Sequence, residues 1–129
     1  MGIDVTMEVK SGYLLVSCHG EFAGSGLLEI HRQALDRAKQ EGLRAILVDA
    51  TRLEQRVAPT TIARFGLGKA LAALQRDRGS WIPVAFVGKE PLIDPQRLGE
   101  TAAINRGGRA RVFDSVEDAE DWIRALLGV

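Results

Sequence analysis

Three features of this sequence predict an α/β domain, built on a mostly parallel sheet with an antiparallel N-terminal edge strand. A hairpin pattern opens the chain, short continuously apolar runs follow at Ala45–Val48 and Ile82–Val87, and stretches of helical periodicity separate the strands. The expected order is β-β-α-β-α-β-α-β-α, and at 129 residues the chain reads as one domain from 1 to 129.

Val5–Val9 alternates, Ser11-Gly12 supplies a turn, and Tyr13–His19 is rich in β-formers, which together read as a hairpin. From Ser25 to Gln40, Leu27, His31, Ala34 and Ala38 recur at helical spacing beside Leu28 and Leu35, and Gly42 stands where a C-terminal cap belongs. Ala45–Val48, apolar without a break, is the pattern of a strand covered on both faces. Pro59 suits the first turn of a second helix running to about Arg76, before Gly79 and the next strand, Ile82–Val87. A third helix is expected over Pro95–Asn105 and a last short strand over Ala110–Phe113. Ser115-Val116-Glu117-Asp118 starts a final helix whose buried stripe is Val116, Ala119, Ile123 and Leu126.

Lys plus Arg and Asp plus Glu balance at 17 each, so the chain lacks the net positive field that draws proteins to nucleic acid or anionic membrane. No apolar run approaches membrane-spanning length, and the acidic start Met1-Gly2-Ile3-Asp4 is unlike a signal peptide. One cysteine, Cys18, forms no internal disulfide, which fits a reducing cytoplasm. Two histidines and one cysteine give no metal-ligand spacing, and no cofactor is implied.

The residues that carry chemistry are few. His19 closes the second strand and is read as structural or solvent-facing, because no partners for a triad or metal site are in view. His31, on the apolar face of helix one, is read as a satisfied core histidine, and Cys18 as a small buried hydrophobe. Gly24-Ser25-Gly26 lacks the full dinucleotide fingerprint, so Ser25 is read as an N-cap. Gly66-Leu67-Gly68-Lys69 lies inside a helix, which removes the phosphate-cradling geometry. Asn105-Arg106-Gly107-Gly108-Arg109 is read as a turn with solubilising charge. Sheets of this kind place ligands at the carboxyl ends of strands, here Asp49, Ala50, Thr51 and Gly88. For Asp49 two readings stand side by side: a binding carboxylate on that rim, or a cap for the turn from Thr51 to Val57.

Helix two is the most informative element. At about 100° per residue, Ala63, Leu67, Ala70 and Leu74 share the face expected against the sheet. Phe65 points away from it with Thr61, Gly68 and Ala72 nearby, a smooth apolar stripe with an aromatic knob. Such a stripe docks a protein partner, a second copy or a small apolar ligand, unless the loop at Arg52–Val57 or Lys89–Arg97 folds over it.

Ala45-Ile46-Leu47-Val48-Asp49, Ile62-Ala63-Arg64-Phe65-Gly66-Leu67-Gly68, Val84-Ala85-Phe86-Val87-Gly88, and Val112-Phe113 with Ala119-Glu120-Asp121-Trp122-Ile123 resemble the SpoIIAA-like family. These are bacterial relatives of STAS domains, whose open fold is also likened to the lipid-binding Sec14/CRAL-TRIO type. In anti-sigma factor antagonists of this kind, a serine at the start of the second helix, within a motif close to Asp-Ser-Ser-Gly, is phosphorylated by a partner kinase. This chain has Val57-Ala58-Pro59-Thr60-Thr61 at the matching place, so the resemblance points to Thr60 or Thr61 as phosphate acceptors at a helix N-terminus. Together with the Phe65 stripe, it implies a non-enzymatic interaction domain that uses Thr60, Thr61 and Phe65 to meet a protein partner or a second copy. The alternative it suggests is a binder of a small apolar or lipid-like ligand, held between helix two and the rim at Asp49 and Thr51.

Overall fold

In the computed structural model, the first strand, β1 (Ile3–Val9), folds back on β2 (Tyr13–Glu21) as the hairpin pattern predicts. The structure describes residues 3–21, 24–54, 61–77, 82–89 and 109–128, with side chains throughout except at 24–25 and 61–67. The expected helix at Pro95–Asn105, Thr60, and most of the Asn105–Arg109 turn lie outside the described residues.

The chain continues through α1 (Gly24–Gln40), β3 (Ala45–Glu54), α2 (Thr61–Asp77), β4 (Val84–Val87), β5 (Ala110–Phe113) and α3 (Val116–Leu127). Among the described residues the strands form one five-stranded sheet in the order β1-β2-β3-β4-β5. β1 and β2 are antiparallel and every later pairing is parallel, the mixed sheet that the sequence predicts. β3 runs to Glu54, six residues past the expected end at Val48, so Asp49 and Thr51 are strand residues.

Side-chain alternation splits the core into two layers. On the first face Leu14, Val16 and Cys18 of β2, Ile46 and Val48 of β3 and Val84 of β4 pack under Ile30, Ala34, Leu35 and Ala38 of α1, with Leu74 of α2 alongside. On the second face Tyr13, Ala45, Leu47, Ala85 and Val87 meet Ala119 and Ile123 of α3. Covering on both faces explains the unbroken apolar run at Ala45–Val48, and each fully buried Leu or Ile contributes roughly 2–3 kcal/mol. Ile30 joins this core although its place in the sequence pattern had not marked it. Leu126, expected in the buried stripe of the last helix, is instead 38% exposed, and Leu127 packs against the core at the end of that helix.

Local chemistry stops these elements where they stop. α1 ends in a Schellman motif, Leu43 N–H donating to Ala38 O at 2.8 Å and Gly42 N–H to Lys39 O at 3.3 Å. Gly42 takes the left-handed φ of 69° that this motif requires. The Ser115 Oγ accepts from Asp118 N at 3.1 Å and caps α3, as the capping-box pattern predicts. α1 begins at Gly24, so Ser25 lies within the first turn rather than before it.

Candidate functional site

The rim where parallel strands end is built by β3 outrunning β4. Asp49 pairs with Val87, the last residue of β4, and β3 then continues beside β2 alone. There the register slips: Ser17 faces Asp49 and His19 faces Arg52, so three steps along β3 match two along β2. The extra residue makes a β-bulge opposite Cys18. The Asp49 Oδ1 accepts from Thr51 N at 3.0 Å and from the Thr51 Oγ1 at 2.7 Å, closing the bulge as an Asx-type turn. Asp49 and Thr51 are thus held together, half-buried, and the carboxylate orders its own strand.

The neighbouring side chains are placed against nucleophilic chemistry. Burial, with the Asp49 carboxylate adding to it, pushes the Cys18 thiol up to about 11. Cys18 is therefore a protonated core residue at neutral pH. His19 is on the solvent side, its Nε2 3.4 Å from the Asp4 Oδ2 on the adjacent strand. His31 is buried on the first face, with Nδ1 2.8 Å from Leu27 O, which assigns the proton to Nδ1, and its ring stacked on Phe86 at 6.0 Å. Desolvation lowers its pKa from the ordinary imidazole value, the bond to Leu27 offsetting part of that. Among the described residues no group of three or more His, Cys, Asp or Glu is placed to hold a metal ion.

α2 follows the rim, and its orientation differs from the sequence expectation. Gly68, Ala72 and Gln75 are buried, whereas Ala70 and Leu74 are only half-buried. The helix is turned by about a third of a revolution, at 100° per residue, from the setting predicted by its leucines and alanines. The described part of the expected outer stripe, Gly68 and Ala72, therefore faces inward. Thr61 and Phe65 stand in the first part of α2, and their side chains lie outside the described residues.

Gln75 sets that orientation, and the sequence reading missed it. Its Nε2 donates to Ile82 O at 3.0 Å and to Arg109 O at 3.2 Å, while its Oε1 accepts from Arg109 N at 2.9 Å. One amide thus ties the end of α2 to the chain entering β4 and β5. The available signal was positional: Gln75 is seven residues after Gly68, which keeps the two on one face of a helix. Across the sheet, the Tyr13 hydroxyl donates to the Glu120 Oε2 at 2.9 Å and fastens α3 to β2. Burial and that carboxylate push the Tyr13 phenol up to about 12.

The described strands follow one another in chain order, so the sheet has no point at which strand order reverses and opens a crevice. Among the described residues no helix is long and apolar enough to cross a membrane. No family model matches the chain, and no curated protein matches it. Solved structures do. The anti-sigma factor antagonist from Mycobacterium paratuberculosis superposes with a TM-score of 0.60 at 18% identity, over 95% of this chain and 95% of its own. The anti-sigma factor antagonist SpoIIAA in its unphosphorylated form superposes with a TM-score of 0.50 at 15% identity, over 98% of this chain and 100% of its own. End-to-end coverage in both shows that this chain, with its mixed five-stranded sheet, has a SpoIIAA-like, STAS-like fold.

Proposed function

We propose that this chain is a non-enzymatic regulatory module of the cytoplasm that acts by binding another protein through the start of α2. The residues in that role are Thr60, Thr61 and Phe65, together with Asp49 and Thr51 of the rim. The observation that supports this most is the end-to-end likeness to an anti-sigma factor antagonist. The chemistry of the rim is consistent with it. The Asp49 carboxylate is engaged in the bulge, the Cys18 thiol is protonated, and His19 is paired to Asp4, so among these residues no nucleophile and base stand together. Thr60 or Thr61 accepts phosphate at the head of α2, where the helix dipole favours added negative charge.

Native mass spectrometry of the protein purified from its own host tests this, followed by the same measurement on Phe65→Asp and on the double variant Thr60→Ala/Thr61→Ala. The expected result is a protein complex, or a phosphate adduct lost in the threonine variant, together with loss of the complex in Phe65→Asp while circular dichroism still reports a folded chain. Recovery of a small-molecule adduct with no protein partner, a complex that both variants retain, or unfolding of the chain by Phe65→Asp overturns the reading.

A further inference from the structure

We propose that the outer edge of β1 is a docking site for an extended, basic segment of a partner protein, which adds to the sheet as a further strand. Lys10 N–H donates to Tyr13 O at 2.8 Å, which makes Lys10 and Tyr13 a hydrogen-bonded pair at the hairpin turn. Bonded pairs alternate along an antiparallel ladder, so Glu8, Thr6 and Asp4 bond inward to Leu15, Ser17 and His19. Ile3, Val5, Met7 and Val9 therefore turn their N–H and C=O groups outward. Among the described residues only the Arg37 guanidinium reaches this row, its Nη1 lying 3.5 Å from Met7 O, the long end of the hydrogen-bond range. Such an edge is a template for strand addition, in which main-chain bonds supply affinity and alternate side chains supply selection.

The side chains select the occupant. Ile3, Val5 and Met7 pack toward the first core, so a strand laid beside them needs apolar residues at alternate positions. Asp4, Thr6 and Glu8 stand on the opposite face, beyond the strands on which α3 packs. A second copy is the poorer occupant: pairing the whole of β1 antiparallel with itself, about Thr6, sets Asp4 against Glu8, and parallel in register sets each acid on its own kind. A lysine or arginine at each intervening position gives opposite charges instead. Asp4 and Glu8 now contact His19 and Lys10 at 3.4 Å and 2.9 Å, but both carboxylates are well exposed, and exposed pairs of this kind exchange at little cost.

Hydrogen exchange by NMR on the full chain tests the proposal, with a short peptide of alternating valine and lysine as probe and the same peptide with glutamate for lysine as control. The lysine peptide is expected to slow exchange at Val5 and Met7 and to bind roughly tenfold more tightly than the control. Val5→Pro deletes one outward N–H while sparing the ladder to β2, and it is expected to lose the binding. Asp4→Lys/Glu8→Lys, which leaves the backbone untouched, is expected to reverse the preference toward the glutamate peptide. Equal binding of the two peptides, no protection along β1, binding that survives Val5→Pro, or a dimer of the chain formed through β1 overturns it.

Discussion

His31 and Gln75 are the two buried polar side chains of the described core, and each is satisfied in a different way. His31 is held neutral between α1 and Phe86, with a pKa in the folded chain below the 6.5 of a free imidazole. The unfolded chain therefore binds the proton more readily, so His31 costs nothing above about pH 6.5 and destabilises the fold progressively as pH falls below it. Chemical denaturation between pH 7.5 and 5 should show stability falling by at most about 1.4 kcal/mol per pH unit from this group, and His31→Leu should remove that part of the slope. Gln75 answers three backbone groups at once. Gln75→Leu keeps the volume but removes the bonds to Ile82 O, Arg109 O and Arg109 N, and it is expected to cost about 2–3 kcal/mol in urea denaturation, well beyond an ordinary surface change. The sequence could show His31 as a core residue because its neighbours at Leu27, Ala34 and Ala38 complete an apolar stripe. It could not show Gln75, because a polar residue near the end of a helix has the same local pattern whether it meets solvent or the backbone of two strands.

At the scale of elements, the legible parts were those whose pattern is local and one-sided. α1 and α3 carry a clear stripe and clear stop signals, and the hairpin has its turn residues between alternating strands. β3 was read too short because the bulge after Asp49 breaks its alternation. Asp49, Arg52 and Glu54 then look like a polar turn although they are the half-exposed margin of a strand. α2 was turned the wrong way because alanine, glycine and leucine occupy most of its circumference, so the apolar pattern has no strong direction. Its setting comes from a tertiary clamp at Gln75 and from packing beside α1. The candidate site was less legible: the strand signals mark where the strands meet, while the internal bonding of Asp49 to Thr51 depends on a register slip that no local pattern records.

For the molecule as a whole, fold and function were legible to different depths. Layer order, strand direction and the antiparallel edge follow from alternating strand and helix signals and from the chirality of crossover connections. The function proposed above rests on the head of α2 and on a surface that meets a partner, and such surfaces are chosen by complementarity to another molecule rather than by the packing that shapes a sequence pattern. The order β1-β2-β3-β4-β5 has a further consequence, which concerns time rather than space. Each strand can dock on the one made just before it, so the sheet can grow in the direction of synthesis without waiting for a distant segment, and loop-closure costs stay small at every step. Pulse-labelled hydrogen exchange during refolding is expected to find the amides between β2 and β3 protected before those between β4 and β5. Simultaneous protection of both would mean that the sheet forms in one concerted event. On the sequential route, the margin of β1 is the first edge to be completed, and it is available to a partner while the rest of the chain is still being made.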